Sequence, residues 1–167
     1  MTRSDLDQAL HSARRVRFLC SGNVVRSAFA ELYARMLGCP LPVDSAATTF
    51  QNSTIFPETR AALLERGLEP GALEAFRPRH LSRFEEEGAL EGSGLLVFGM
   101  GREHLDAWQL QRPGAGPAFL LSELLGRRRR IADPVLDGAS FEDTFATVER
   151  CVERLIERLS VPGEGPG

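Results

Sequence analysis

The sequence predicts an α/β fold: a parallel sheet covered by helices on both faces. Three observations point there. Short apolar runs alternate along the chain with segments of helical period. The run "GLLVFGM" at 94–100 reads as a buried strand, as parallel strands do. Glycines at 38 and 67 stop two of the helical segments.

The elements follow in order. "SDLDQALHSARR" forms a short helix, with Ser4 and Asp7 in a capping-box pattern and Leu6, Leu10 and Ala13 on one side. "VRFLC" is the first strand. "RSAFAELYARML" is a helix ended by Gly38, with Glu31 and Arg35 spaced i,i+4. "LPVDSA" is the second strand. "FPETRAALLERG" starts at Pro57 and stops at Gly67. "FRPRHL" is irregular or a short strand, and "SRFEEEGAL" is a polar helical stretch. After the buried strand come the helix "REHLDAWQL" and a last strand in "GPAFLL". The closing helix carries one apolar stripe: Phe141, Phe145, Val148, Val152, Leu155, Ile156 and Leu159. Ser140 caps it, with Glu142 and Asp143 in its first turn.

A chain of 167 residues with 43% apolar content suits one domain with an ordinary core. The expected division is an N-terminal helical extension (1–14), a domain (15–160) and a disordered tail (161–167). The net charge of −3 offers no basic field for nucleic acid, and all 20 basic residues are arginine. No apolar run reaches membrane-spanning length, so no membrane partner is expected. Cys20, Cys39 and Cys151 have neither CxxC pairing nor metal-ligand spacing. An odd cysteine count with no signal peptide predicts a reducing, cytoplasmic setting.

The stretch "CSGNVVRS" at 20–27 joins the first strand to a helix N-terminus. Open α/β sheets bind ligands at such junctions. A helix N-terminus presents unpaired N–H groups, which stabilise a thiolate and a phosphate alike. Gly22 lets the backbone curl, and Asn23 tolerates the left-handed conformation that a cradle of N–H groups needs. Arg26 adds a planar fork matched to phosphoryl oxygens, and Ser27 is placed to donate to the sulfur. Ser21, Gly22, Asn23, Val24, Val25, Arg26 and Ser27 thus read as a phosphate cradle with Cys20 at its floor. A nucleotide P-loop would need lysine, and a dinucleotide fingerprint would need GxGxxG. A buried cysteine beside a solvent-facing arginine would share the Cys-x5-Arg spacing, but the strand, the Gly-Asn pair and the helix favour the cradle.

"VRFLCSGNVVRSAFAE" resembles the opening of the low-molecular-weight protein tyrosine phosphatases. "VDSAATT", "FRPRHLS", "LLVFGMGREHL" and "IADPVLDGASFEDTFATVERCVERLIERL" resemble later segments of that family in order, from about Arg15 to Leu159. The resemblance implies a flavodoxin-like three-layer sandwich with a four-stranded parallel sheet. It implies hydrolysis of phosphomonoesters through a phosphocysteine, without metal or cofactor. Cys20 is then the nucleophile, Arg26 the phosphate clamp and Asp133 the general acid. Asn23, Ser27 and Ser45 support the loop. Expected partners are phosphorylated proteins or small aryl phosphates, with inorganic phosphate and vanadate as inhibitors.

Departures from the family pattern concern the surroundings of the cradle. Val25 stands where a second cysteine is common, Val135 and Leu136 where aromatics follow the Asp-Pro, Ala47 for a glycine, and Gly101 for an acidic residue. Phe50 or Phe56 replaces the aromatic expected after the second strand. A protein arginine phosphatase is the nearest alternative, though its relatives tend to carry threonine at Val24. A thiol-dependent arsenate reductase would need further cysteines in mid-chain. A non-catalytic anion-binding or regulatory module on the same fold is the alternative of another class. The bland readings apply elsewhere: Arg127 to Arg130 is a solvated loop, His80 and His104 are surface or hydrogen-bonded, Trp108 packs a helix, and Cys39 and Cys151 are structural.

Overall fold

A computed structural model describes residues 3–83, 94–114 and 116–160, residues 3 and 4 by backbone alone. The strands are β1 (Arg15–Cys20), β2 (Val43–Ala47), β3 (Leu95–Gly99) and β4 (Ala118–Leu120). They form one parallel sheet in the order β2-β1-β3-β4. The helices are α1 (Arg3–Ser12), α2 (Arg26–Met36), α3 (Pro57–Glu65), α4 (Pro70–Ala75), α5 (Arg102–Gln111) and α6 (Phe141–Ser160).

Alternation along each strand sorts side chains between two apolar layers. Val16, Phe18 and Cys20 of β1, with Leu96 and Phe98 of β3, belong to the larger core shared with α2 and α6. There Phe29 stacks on Phe145 with ring centroids 4.8 Å apart. Leu19, Ala46, Leu95 and Val97 point the other way and meet Trp108 of α5. Arg17 lies on that face too, its Nε 2.7 Å from Asp44 Oδ1 and its guanidinium 5.6 Å from the Trp108 ring. The pair is buried but compensated, since each charge has its partner in the neighbouring strand.

The expected stripe of α6 faces the core: Phe145, Val148, Val152 and Leu155 are buried, joined by Cys151. Ser140 Oγ accepts the Asp143 N–H at 3.2 Å, the expected cap. Gly38 and Gly67 have φ of 75° and 100°, the left-handed conformation that ends a helix cheaply only at glycine.

Some local readings change. Helix α1 has already begun at Arg3, one residue ahead of the Ser4 expected to cap it, and the Ser4 side chain lies outside the described residues. Leu6, Ala9 and Leu10 of α1 are buried in the main core, and Asp7 pairs with Arg158 of α6. The sequence reading has no helix at α4, where Pro70 starts the turn and Leu73 anchors it. "FRPRHL" makes a single parallel bridge, Ala47 to His80. "SRFEEEGAL" lies outside the described residues beyond Arg83, as do residues 161–167. The last strand is only three residues long, because the chain tightens into a 3-10 helix at Leu121–Leu125.

Strand β1 lies between β2 and β3, so connections leave its two sides in opposite directions. The crevice this opens at the carboxyl end of β1 is where such sheets bind ligands. Residues 20–27 occupy it.

Candidate active site

Cys20 ends β1, and Arg26 begins α2. The five-residue turn between them, Ser21 to Val25, closes around the sulfur. Ser27 Oγ lies 2.9 Å from Cys20 Sγ, and the N–H groups of Asn23 and Ser27 point to it at 3.3 and 3.4 Å. The two N–H groups donate to the sulfur, and the Ser27 hydroxyl can donate to it as a third when the sulfur carries charge. Asn23 has φ 56°, the one described non-glycine residue in the left-handed region. That conformation turns its N–H inward.

The loop is fastened from outside. Asn23 Nδ2 donates to Ser27 Oγ at 2.9 Å and to Ser45 Oγ at 2.8 Å, and its Oδ1 accepts the Arg79 N–H at 3.0 Å. Asn52 Nδ2 donates to the Gly22 carbonyl at 3.0 Å. A Cβ on Gly22 would stand 2.9 Å from that same nitrogen, so a larger residue would displace the Asn52 amide. The Val24 carbonyl accepts from the Phe56 N–H and the Thr59 hydroxyl. The Val25 carbonyl accepts the first i→i+4 hydrogen bond of helix α2, from the Phe29 N–H at 2.9 Å. The Asn23 side-chain amide thus joins Ser27 and Ser45 in one hydrogen-bonded group.

Arg26 is among the most buried residues, 1% exposed. Its Nη1 donates to the Ile131 carbonyl at 2.8 Å. Its Nη2 lies 3.2 Å from Asp133 Oδ2 and 3.4 Å from Ser21 Oγ. Asp133 is 7% exposed and organises its own turn, with Oδ1 accepting from the Val135 N–H at 2.9 Å. Arg26 and Asp133 thus meet although they are 107 residues apart in sequence. Asp137 lies in the same loop. It is bound by Arg130 and by the Asp133 N–H, and these hold its carboxyl below the usual range. A carboxylate kept charged in this way is a poor proton donor.

A cleft of about 150 Å³ opens above the cysteine. Cys20, Arg26 and Asp133 lie at its floor, and Phe50, Phe56, Val135 and Leu136 form its walls. Phe56 is held by stacking on Phe141 at 5.6 Å, whereas Phe50 is 46% exposed at the rim. Both aromatics considered from the sequence reach the site. A larger cleft of about 490 Å³ lies beside Trp108, and no cysteine lines it.

A family model for the low molecular weight phosphotyrosine protein phosphatases matches residues 15–162. The chain belongs to that family. No protein of curated function matches it by sequence. Solved structures of low molecular weight phosphatases and their kin match its fold. The arginine phosphatase YwlE from Geobacillus stearothermophilus is 27% identical, covers 87% of this chain and 92% of its own, and superposes with a TM-score of 0.70. The tyrosine phosphatase Wzb from Escherichia coli K30, solved with sulphate, is 23% identical over 88% and 99%, with a TM-score of 0.71. The tyrosine phosphatase amsI from Erwinia amylovora is 19% identical over 89% and 94%, also at 0.71.

In this low molecular weight phosphatase, two side chains escape the sequence reading. Glu31 is buried, and burial raises its carboxyl above the usual range. It forms the expected pair with Arg35 at 3.2 Å but also accepts the Ser45 hydroxyl at 2.7 Å, which links it to Asn23. His104, read from the sequence as surface or hydrogen-bonded, is fully buried and hydrogen-bonded through both ring nitrogens. Its Nε2 is 3.0 Å from Ser21 Oγ, and its Nδ1 accepts the Gly101 N–H at 3.0 Å. Burial, then the nearby Arg26 charge, pushes its pKa down to about 4, so it is neutral at neutral pH. Both contacts span many residues and leave no local pattern to read.

Cys39 and Cys151 are free thiols away from the cleft lining. Burial raises the thiol of each, that of Cys151 to about 12, which keeps it unreactive. Val25 supplies no neighbouring sulfur. Prolonged exposure to peroxide is therefore expected to leave Cys20 as sulfinic or sulfonic acid, with activity only partly restored by thiols. Peptide mass spectrometry checks this. An intramolecular disulfide from Cys20 to either other cysteine would be the opposite outcome.

Proposed function

We propose that the chain hydrolyses phosphomonoesters of the phosphotyrosine class through a phosphocysteine on Cys20. The convergence of three donors on Cys20 Sγ, beside a buried arginine fork, supports this reading most directly. In it, the N–H groups of residues 21–26 and Arg26 neutralise a phosphate ester that would otherwise repel an anionic nucleophile. The incoming phosphate replaces Asp133 as a partner of the guanidinium. The thiolate then attacks phosphorus in line, an S–P bond forms, and the P–O bond to the leaving group breaks. Asp133 gives its proton to the departing oxygen. In the second step Asp133 takes a proton from water, whose oxygen attacks phosphorus. The S–P bond breaks, and inorganic phosphate and the thiolate are released.

The cleft walls favour an aryl group over a guanidinium. Phe50, Phe56, Val135 and Leu136 present carbon to the substrate, whereas a phosphorylated arginine brings N–H groups that need acceptors. An arginine phosphatase is the second reading, because two of the solved neighbours are named for that activity. Peptides bearing phosphotyrosine should be hydrolysed with a kcat/KM at least about ten-fold above matched phosphoarginine peptides. The reverse preference would exchange the two readings. Three free cysteines suit a reducing compartment, and on that ground we place the chain in the cytoplasm. Among the described residues no helix is long and apolar enough to cross a membrane.

The acid role has its own test. An acid matters in proportion to the basicity of the leaving group. Asp133→Asn keeps the shape and removes the proton. It should slow the first step with phenyl phosphate more than with nitrophenyl phosphate, by on the order of ten-fold or more. The rates are read from kcat/KM or a burst, since Asp133 also serves the second step. Equal slowing of both substrates would make Asp133 a structural turn residue.

A further inference from the structure

We propose that His104 is a positioning residue that holds the phosphate-clamping arginine, Arg26, through the hydroxyl of Ser21. The proposal rests on the phosphatase reading for Arg26 and extends it to a residue outside the cradle.

The argument begins with what Arg26 has to do. Its Nη2 touches Asp133 and Ser21, and its Nη1 touches the Ile131 carbonyl. Asp133 has to leave the guanidinium in order to protonate the leaving group. The contacts that remain are the Ile131 carbonyl on one edge and Ser21 Oγ on the other. Both are governed by the turn between β3 and α5. The Met100 carbonyl accepts the Ile131 N–H at 2.8 Å, which fixes the first. The Gly101 N–H donates to His104 Nδ1 at 3.0 Å, which begins the second.

That donation sets the tautomer. With Nδ1 occupied as an acceptor, the imidazole proton sits on Nε2 and points at Ser21 Oγ, 3.0 Å away. His104 therefore cannot act as a base toward Ser21, and the pair is not a nucleophile–base dyad. Instead Ser21 Oγ accepts from Nε2 on one side and faces Arg26 Nη2 at 3.4 Å on the other. The contact to the guanidinium is long, so the hydroxyl's orientation decides its strength. A neutral donor does this without adding positive charge beside Arg26. Gly101 offers no carboxylate that could hold the arginine directly, and a Cβ there would run into the Glu103 carboxylate. His104 in turn is placed by its position in the first turn of α5, from which it reaches back to the N–H at the helix start.

The test compares Ser21→Ala, His104→Ala, the double variant and His104→Gln, whose amide nitrogen preserves a donor toward Ser21. Two quantities are measured: kcat/KM with nitrophenyl phosphate, and the dissociation constant of inorganic phosphate by titration calorimetry. Each single alanine variant should lose about ten-fold in both, and the double variant no more than the weaker single, because both break one chain of contacts. His104→Gln should recover most of the loss, which a purely structural role would not require. Ser21→Ala removes one oxygen and almost no volume, so it carries the test if His104→Ala fails to fold. Parental phosphate affinity in Ser21→Ala, or losses that multiply in the double variant, would overturn the proposal. A parent that binds phosphate without hydrolysing the ester would overturn the phosphatase reading alone, and the calorimetric comparison would still decide on His104. A parent that binds no phosphate would overturn both.

Discussion

Cys20→Ser is expected to abolish turnover of aryl phosphates while phosphate and vanadate still bind within a few-fold of the parent. The two halves of this result have different physical sources. Affinity for the anion comes from N–H groups and Arg26, and the substitution spares both. Turnover requires a strong nucleophile, and a serine hydroxyl is a far weaker one than a cysteine sulfur. In the parent, the hydroxyl of Ser27 and the N–H groups of Asn23 and Ser27 stabilise a thiolate. In the variant the same donors surround a neutral hydroxyl on a shorter bond. The expected fall in kcat is on the order of 10⁴-fold or more. Steady-state assay together with vanadate titration checks it. Substantial residual turnover would remove Cys20 from the role of nucleophile.

Arg26→Ala carries the second large effect, and it falls on binding and chemistry together. The guanidinium meets the phosphoryl oxygens in the ground state and more strongly in the transition state, where charge spreads over the equatorial oxygens. A fall in kcat/KM on the order of 10³-fold is expected, with a clear rise in the phosphate dissociation constant. Some of the loss is structural, because the Ile131 carbonyl and Asp133 both lose a buried partner. Arg26→Lys separates the contributions. It keeps the charge and forfeits the fork, so it should recover stability more than kcat/KM. The measurement is a melting curve beside the kinetics. A lysine variant with parental kcat/KM would show that bidentate geometry is irrelevant here.

The parts of the molecule that were legible in the sequence are those with local signatures. Strands β1 and β3 are apolar runs, α6 has its stripe and its Ser140 cap, and Asn23 takes the left-handed conformation its type permits. The residues of the cradle follow one another in the chain, so their spacing states the chemistry. Asp133 has no such spacing to Arg26, and only the resemblance to a family brings the two together. Glu31 and His104 were missed because their partners, Ser45 and Ser21, lie 14 and 83 residues away. Glu31 also fits an ordinary i,i+4 pair with Arg35, and the pair forms, so nothing in the pattern signals its second contact. Helix α4 was missed for a different reason: six residues containing Gly71 have poor intrinsic propensity, and the burial of Leu73 makes up the difference.

The claim on which all the rest depends is that phosphate passes through sulfur. The direct measurement is to mix the Asp133→Asn variant with excess nitrophenyl phosphate, quench within the first turnovers, and map the phosphoryl group by peptide mass spectrometry. Loss of the carboxylate slows hydrolysis of the intermediate, while the good leaving group keeps its formation fast. The expected result is a burst of nitrophenolate near one equivalent per protein, with the phosphoryl group on the peptide that carries Cys20. Nitrophenolate release without a burst, and without phosphate on Cys20, would contradict the account. It would leave a fold that binds anions without using its cysteine.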